Sequence, residues 1–341
     1  GQGDAFYQGR VWPVNEIYKE LGITPPNLKG VDGLVLINGV GRATAEVVET
    51  VIKIENYQRK LQIVLGLVLT AIEAQQNQFN PELAQTRSLD PLGYKEALSI
   101  MYQSIEGSKQ NPNRVQEPYS IRNIPEVRRL LELSLGRLAS TLEDTFNAAQ
   151  SNPLFINGQS VGSNNFNPLA LAHEQEGVIS ALQLTNALVR CLSDIIISPN
   201  TSNYSHRFMA LPGQSGGMVW ADIAIKAICA KASSELRVDI WHSVSTSLGQ
   251  EDQVSCAKIT ADKMIKGIGL MNEAVSILGC AAWDLIEKKT AADNGFYLGQ
   301  TSGKVIKALN KRLKDSGVSS FGSDFAPGNV ETALSVCSSY L

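Results

Sequence analysis

Apolar residues recur at helical spacing along most of the chain. In the segment 125–150 the apolar positions follow one another at steps of three or four residues, which places them on one face of an amphipathic helix. Residues 45–75 are apolar on nearly every face of their second half, and a helix of that kind belongs in the middle of a bundle. The apolar face of 125–150 consists of Val127, Leu131, Leu135, Leu138, Leu142 and Phe146.

The same spacing predicts further helices, at 168–196, 219–236, 252–289 and 302–315. Two nearby glycines, Gly267 and Gly269, mark a candidate bend in the third of them. Strand signals are scarce: an apolar run at 34–37, and the Asn-Gly step within 155–158, which suits a small hairpin. The pattern therefore predicts an all-α fold, a large bundle of long central helices with minor short strands.

Composition excludes several classes of protein. The 341 residues include 30 basic and 33 acidic side chains, a formal net charge of −3, and this balanced charge offers no electrostatic surface for nucleic acid. The longest strongly apolar stretch, 61–72, is too short for a membrane span, which needs about 20 residues. We therefore expect a cytoplasmic protein with neither a nucleic-acid partner nor a membrane.

The cysteines and histidines do not form the spacings of a metal site. No CxxC pair occurs, and His173, His206 and His242 are isolated from one another in the sequence. The apolar helical surroundings of most cysteines favour buried thiols in a reducing compartment. These cysteines are Cys191, Cys229, Cys256, Cys280 and Cys337.

Three polar side chains recur at three-residue steps in the segment 115–122, namely Gln116, Tyr119 and Arg122. On a tight turn or a short helix they share one face. An arginine in that position is suited to hold a carboxylate through two parallel hydrogen bonds, with a tyrosine hydroxyl beside it. The alternative is a loop at a helix entrance whose polar groups satisfy only the backbone.

A second polar group, Gln250, Glu251 and Asp252, adjoins the start of the helix predicted over 252–289. Carboxylates are favourable at a helix N-terminus because of the helix dipole. A plain N-cap accounts for Asp252 but requires neither Gln250 nor Glu251. These two residues are therefore candidates for a functional role.

Five segments, in the same order along the chain, resemble motifs of the histidine and aromatic amino acid ammonia-lyases. The segment 115–127, VQEPYSIRNIPEV, resembles the family's VQDxYSLRCxPQV, and 247–255, SLGQEDQVS, resembles SANQEDHVS. The other three are GQGDAFYQGR at 1–10, LVLINGVGRATA at 34–45 and NAAQSNPLF at 147–155. Because the matches are collinear and extend over nearly the whole chain, the chain is identified as a member of this family.

The resemblance implies a fold, an assembly and a cofactor. The fold is a single helical domain over 1–341 with a fumarase/aspartase-like architecture, and the assembly is a homotetramer whose active sites are shared between three chains. The cofactor is methylideneimidazolone, an electrophilic prosthetic group made autocatalytically from Ala-Ser-Gly, and no metal takes part. No Ala-Ser-Gly occurs in this sequence, and its first methionine is Met101. We therefore expect the C-terminal two-thirds of a lyase, inactive by itself, whose electrophile comes from an N-terminal segment or a partner chain.

The resemblance also implies roles for four residues. Asn38 is expected to hydrogen-bond the prosthetic group or the substrate amine. Gln116 and Tyr119 are expected to line the electrophile, with Tyr119 tuning proton transfers. Arg122 is expected to clamp the α-carboxylate of the substrate.

The identity of the substrate depends on Glu251. Histidine-type members of the family place a glutamate there, which accepts a hydrogen bond from imidazole or takes part in proton transfer, whereas plant phenylalanine-type members have Asn-Gln-Asp. The neighbouring Gln250 is expected among the substrate-binding residues. The histidine-type branch also contains tyrosine lyases and aminomutases, so the preference is modest.

The family's pocket phenylalanine can be aligned with either of two residues of this chain. Without a gap, Asn164 takes its place and makes the pocket more polar. With two residues deleted, Phe166 takes its place and keeps an aromatic wall.

Together these features predict an enzyme that eliminates ammonia from an aromatic L-amino acid, histidine first, to give an α,β-unsaturated acid. One alternative is a tyrosine or phenylalanine lyase, or a 2,3-aminomutase. The other is a non-catalytic scaffold subunit that keeps the lyase fold. The joint presence of Asn38, Gln116, Tyr119, Arg122 and Glu251 favours the enzyme, because a bundle core has no use for that combination.

Overall fold

The structure, a computed structural model, describes residues 3–30, 32–87, 90–210, 216–237, 243–292 and 295–317. By its internal packing the chain divides into two compact units. The smaller unit consists of 1–41 and 149–166, and the larger unit consists of 42–148 and 167–341. The single domain expected over 1–341 stays a prediction.

The smaller unit contains two antiparallel hairpins and two short helices. In the second hairpin the chain reverses at Asn157 and Gly158, both with positive φ, which is the backbone that an Asn-Gly turn adopts readily. The hairpin predicted around 155–158 is thereby confirmed. The elements are β1 (Asp4–Tyr7), β2 (Arg10–Pro13), α1 (Val14–Glu20), α2 (Asp32–Asn38), β3 (Leu154–Ile156) and β4 (Gln159–Val161).

The strand signal at 34–37 was wrong, because these residues belong to helix α2. The carboxylate of Asp32 accepts the backbone N–H of Lys29 at 2.8 Å at the start of the helix, and the N–H of Gly39 donates to the carbonyl of Val35 at its end. A short apolar run does not distinguish a strand from a helix by its periodicity. Here the hydrogen bonds at the two ends of the segment stabilise the helix.

The larger unit is a bundle of helices, which confirms the predicted all-α fold with minor short strands. Helices α6 and α7 pack along each other, and α7, α9 and α10 pack together in the core. The helices are α3 (Gly41–Ala71), α4 (Pro91–Ser104), α5 (Tyr119–Arg122), α6 (Ile124–Asn147), α7 (Leu169–Ile197), α8 (Pro199–Ser202), α9 (Val219–Glu235), α10 (Ala257–Ala291) and α11 (Gln300–Asp315).

The burial of α3 and α6 follows the pattern of their apolar residues. All residues from Val64 to Ala71 are buried, as expected for a central helix that is apolar on every face. On α6, Leu131, Leu135, Leu138 and Leu142 are buried, whereas Phe146 near the C-terminal end is exposed. The predicted amphipathic face is therefore confirmed over its central turns.

Helix α10 differs from the prediction in two respects. It begins at Ala257 rather than at 252, and it continues without a break through Gly267 and Gly269. A Cβ on Gly267 would lie 2.6 Å from the side chain of Leu236. Gly267 therefore permits close packing against the residue that follows α9, and it does not end or divide the helix.

Two helices, Leu169–Ile197 and Ala257–Ala291, are long and apolar enough to cross a bilayer by length and composition. Most of each apolar window, 61% and 67%, is buried inside the protein. Core helices of globular proteins share these properties, and both helices belong to the packed bundle.

Candidate functional site

The segment that carries Gln116, Tyr119 and Arg122 forms a tight turn followed by the single turn of α5. Pro118 precedes this turn, and its carbonyl accepts the N–H groups of Ile121 and Arg122 at 3.0 and 3.1 Å. Ile121 is fully buried and fixes one side of the turn to the core, whereas Tyr119 is 75% exposed. The turn therefore presents the tyrosine ring outward.

Arg122 lies directly beside Tyr119. Its guanidinium carbon is 4.7 Å from the centre of the tyrosine ring. Its Nε is buried, and it has no hydrogen-bond partner within the part of the chain that the structure describes. A buried guanidinium N–H without a partner costs free energy. The guanidinium fork as a whole is suited to a planar carboxylate, and its place beside an exposed tyrosine makes Arg122 a candidate for that role.

Gln116 is exposed on the same segment, next to Val115, which is 89% exposed. The side chain of Glu117, by contrast, points into the interior and has no exposed surface. Along this segment, polar side chains that face outward thus lie next to the carboxylate of Glu117, which faces inward. A loop that only satisfied its own backbone would not require this arrangement.

Gln250 and Glu251 lie at the end of a second, strained turn. Thr246 and Glu251 form an isolated backbone bridge, and the Thr246 hydroxyl donates to Oε2 of Glu251 at 2.9 Å. Between them, Ser247, Leu248 and Gly249 all have positive φ. For residues other than glycine this backbone costs about 1–3 kcal/mol each, and it is concentrated at functional sites.

The N-cap interpretation of Asp252 was wrong. Because α10 begins at Ala257 with Cys256 as its N-cap, Asp252 lies outside the first turn. Asn167 instead holds the approach to the helix: its side chain donates to the carbonyl of Gln253 at 2.8 Å and accepts the N–H of Ser255 at 2.9 Å. Helix capping therefore accounts for none of the polar residues 250–252.

Three predicted site residues belong to the smaller unit. Asn38 is the last residue of α2 and is exposed, and the preceding Ile37 is 82% exposed. Asn164 and Phe166 are both exposed after the hairpin of β3 and β4. The choice between Asn164 and Phe166 as the pocket residue stays a prediction, as does the role of Asn38.

In the larger unit the structure brings the predicted residues together in two pairs. Tyr119 packs against Arg122, and Gln250 adjoins Glu251 in the strained turn. Reasoning from the sequence missed Arg114, which forms an ion pair with the buried Glu117 at 2.9 Å. The sequence does place an arginine and a glutamate three residues apart at the start of the polar motif, but not the distant contacts that they make.

A cleft of about 390 Å³ in the larger unit contains none of the predicted site residues. On its wall, Lys289 forms a buried ion pair with Glu73 at 2.8 Å, and Lys289 also donates to the carbonyls of Ala71 and Ser202. Burial lowers the pKa of Lys289, and the bond to Glu73 opposes that shift. All three protons of the ammonium are engaged, so this pair acts as a structural connection.

No three His, Cys, Asp or Glu side chains gather as a metal site among the residues described. Two of the residues considered for such a site, His242 and Cys337, lie outside those residues.

Comparison with known proteins identifies relatives along nearly the whole chain. Residues 1–311 match the family described as aromatic amino acid lyase. Histidine ammonia-lyase of Bacillus subtilis is 26% identical over 324 residues, which cover 91% of this chain and 63% of that protein. This chain therefore spans a little under two thirds of the length of that relative.

Solved structures of such enzymes share the fold. Histidine ammonia-lyase from Trypanosoma cruzi matches with a TM-score of 0.85 at 20% identity, covering 99% of this chain and 63% of that one. Tyrosine aminomutase from Streptomyces globisporus matches with a TM-score of 0.86 at 20% identity, covering 100% of this chain and 68% of that one. These likenesses confirm the predicted fold class.

Proposed function

The chain belongs to the aromatic amino acid lyase family, and from that premise we propose that it carries the substrate-binding residues of an ammonia-lyase. The observation that carries the proposal is the guanidinium of Arg122, which lies 4.7 Å from the ring centre of the exposed Tyr119 on the same turn. An α-carboxylate is the partner that suits the planar fork of an arginine. A non-catalytic scaffold has no need for this combination of an arginine and an exposed tyrosine.

The reaction we propose is the loss of ammonia from an aromatic L-amino acid. It breaks the Cα–N bond, removes a proton from Cβ and leaves an α,β-unsaturated acid. Arg122 holds the α-carboxylate through charge-assisted hydrogen bonds. The hydroxyl of Tyr119, on the same turn, is placed to exchange a proton with the bound substrate.

The residues of this chain fit the prosthetic group of the family. Gln116 and Tyr119 are exposed, and within the described part of the chain their side chains have no hydrogen-bond partner, so they are available to line it. Methylideneimidazolone, when present, supplies the electrophile that activates the substrate toward loss of ammonia. Because the sequence contains no Ala-Ser-Gly, we propose that this group comes from a segment or partner chain outside these 341 residues.

We propose histidine as the first substrate and tyrosine as the second. Glu251 is exposed in this chain and its Oε2 accepts the Thr246 hydroxyl, and in an assembly that covers it the carboxylate would require a further hydrogen-bond donor. The imidazole of histidine offers an N–H and the phenol of tyrosine an O–H to Glu251, whereas a bare phenyl ring offers neither. The name of the Bacillus relative, histidine ammonia-lyase, supports histidine as the first substrate.

The test is turnover of histidine, tyrosine and phenylalanine by the complete assembly, with Glu251→Gln as the control. We expect histidine to be preferred, with rejection of phenylalanine by a large factor, since a site built for a hydrogen bond excludes the analogue that lacks it. Glu251→Gln should reduce the preference for histidine over phenylalanine. Faster turnover of phenylalanine by the wild type would overturn the histidine assignment, and absence of turnover with every aromatic amino acid would overturn the lyase.

We further propose that the assembly is a cytoplasmic homotetramer, or a heteromer with a chain that carries Ala-Ser-Gly. Exposed apolar residues next to the predicted site residues, such as Ile37 and Val115, support a site that other chains complete. Intact-mass measurement of the native material would reveal a second polypeptide or a longer chain. A single polypeptide of 36.9 kDa with full lyase activity would contradict this proposal.

A further inference from the structure

One buried ion pair connects the segment of Gln116, Tyr119 and Arg122 to the protein interior. Both oxygens of Glu117 accept hydrogen bonds from Nη1 of Arg114, at 3.0 and 2.9 Å. The Glu117 side chain has no exposed surface and that of Arg114 is only 11% exposed. The pair therefore lies beneath the outward face that carries the predicted site residues.

The guanidinium of Arg114 also reaches two other parts of the bundle. Its Nη2 donates to the carbonyl of Ile72, just after α3, at 3.1 Å, and to the carbonyl of Thr201, in α8, at 2.6 Å. One planar group thus holds three separate pieces of chain. A lysine offers no such rigid fork of donors.

Gln75 makes further hydrogen bonds to the same segment. Its backbone N–H donates to Oε1 of Glu117 at 2.9 Å, and its side-chain amide donates to the carbonyls of Asn111 (3.1 Å) and Arg114. The segment 111–117 is thereby attached at its start, its middle and its end. All of these contacts lie within the larger unit.

A buried ion pair is weak evidence for a stabilising role. Replacing a buried ion pair by well-packed apolar residues is often neutral or stabilising, because desolvation offsets the attraction between the charges. The pair with Arg114 fixes the position of Glu117. The outward residues on either side of it, Gln116 and Tyr119, are fixed with it.

We propose that Arg114 and Glu117 are positioning residues of the active site, which hold Gln116, Tyr119 and Arg122 in the geometry for binding and proton transfer. This inference rests on the proposed lyase function. Neither residue contacts the substrate in this proposal, and both act through the turn that they anchor. Misplacement of reacting groups by about 1 Å is enough to slow an enzyme about 100-fold.

The test compares Glu117→Gln with Glu73→Gln in the complete assembly. Glu73 is a matched control because it is also buried and paired with a cation, but its carboxylate contacts Lys289 and Asn203. Its backbone carbonyl, which accepts the N–H of Asn111 at 2.9 Å, is kept in Glu73→Gln. We expect Glu117→Gln to lower kcat/KM about 100-fold, with both a lower kcat and a higher KM. Glu117→Asp, which restores the carboxylate, should recover most of the loss, and Glu73→Gln should keep kcat near the wild-type value.

A second measurement does not depend on activity. Hydrogen exchange of the amides of 115–123 should be faster in Glu117→Gln and in Arg114→Lys than in the wild type, while the amides of α10 keep their protection. Wild-type kcat and wild-type exchange in these variants would overturn the proposal, as would an equal loss of kcat in Glu73→Gln. If Glu117→Gln does not fold, Arg114→Lys decides by the same criteria. A wild-type assembly without lyase activity would overturn the proposed function, and the exchange data would then report on the anchoring separately.

Discussion

Arg122 and Tyr119 show how a functional residue differs from a surface residue of the same type. Arg137, on the exposed face of α6, is a typical surface arginine. Arg122 instead has a buried Nε without a partner in the described part of the chain, and its guanidinium lies over an exposed aromatic ring. The second feature sets Arg122 apart, because an arginine beside an exposed aromatic ring is suited to hold a planar anion.

Replacing these two residues should separate binding from turnover. In the complete assembly, Arg122→Ala should weaken use of the substrate by about 2–5 kcal/mol, because the carboxylate loses a desolvated partner. Tyr119→Phe should leave binding largely intact and lower kcat, since only a hydroxyl is lost. The measurement is steady-state kinetics with histidine and tyrosine, and Arg137→Ala is the control that should change neither constant. Wild-type turnover in both site variants would remove these positions from the active site.

Individual residues of the site were predictable from the sequence to different degrees. The motif VQEPYSIR made Gln116, Tyr119 and Arg122 visible, because polar residues recur there at steps of three. The anchoring role of Arg114 and Glu117 was not visible, because it depends on the carbonyls of Ile72 and Thr201, which are distant in sequence. No local pattern encodes contacts of that kind.

Among the elements, length and periodicity decided which predictions held. The long helices α3, α6, α7, α9 and α11 were predicted within a few residues, because each repeats its apolar pattern over several turns. The short α2 was mistaken for a strand, and the hairpin of β1 and β2 was not predicted. Short elements offer too few repeats to define a period, so the residues at their ends decide their structure.

The buried face of α6 supports a quantitative prediction about this helix. Leu138 is fully buried, and Leu138→Ala should lower the free energy of unfolding by about 2–5 kcal/mol through lost burial and the cavity left behind. Leu130, on the same helix, is exposed, so Leu130→Ala should cost only about 0.5 kcal/mol. Urea denaturation of the purified protein measures both. Equal effects of the two substitutions would contradict the assignment of the buried face.

At the scale of the whole molecule, the large apolar side chains that remain exposed lie outside the central apolar stretch 61–72. The stretch 61–72 finds its neighbours within this chain and is largely buried there. Some of the large exposed apolar side chains lie next to predicted site residues: Ile37 beside Asn38, Val115 beside Gln116, and Leu248 two residues before Gln250, whereas others such as Leu92 do not. Apolar side chains that remain exposed beside functional groups are typical of surfaces that are covered in an assembly.

The chain of 341 residues expressed alone should therefore associate with itself or aggregate, because these side chains remain in contact with water. Light scattering at increasing concentration measures this, and replacing Val115 and Leu248 together by serine should reduce the association. Leu92 is a matched control, since it is 81% exposed but lies away from the predicted site segments in the sequence, and Leu92→Ser should have a smaller effect. A monodisperse monomer of the unmodified chain with a cooperative melting transition would contradict the prediction, because the exposed side chains would then need no partner surface.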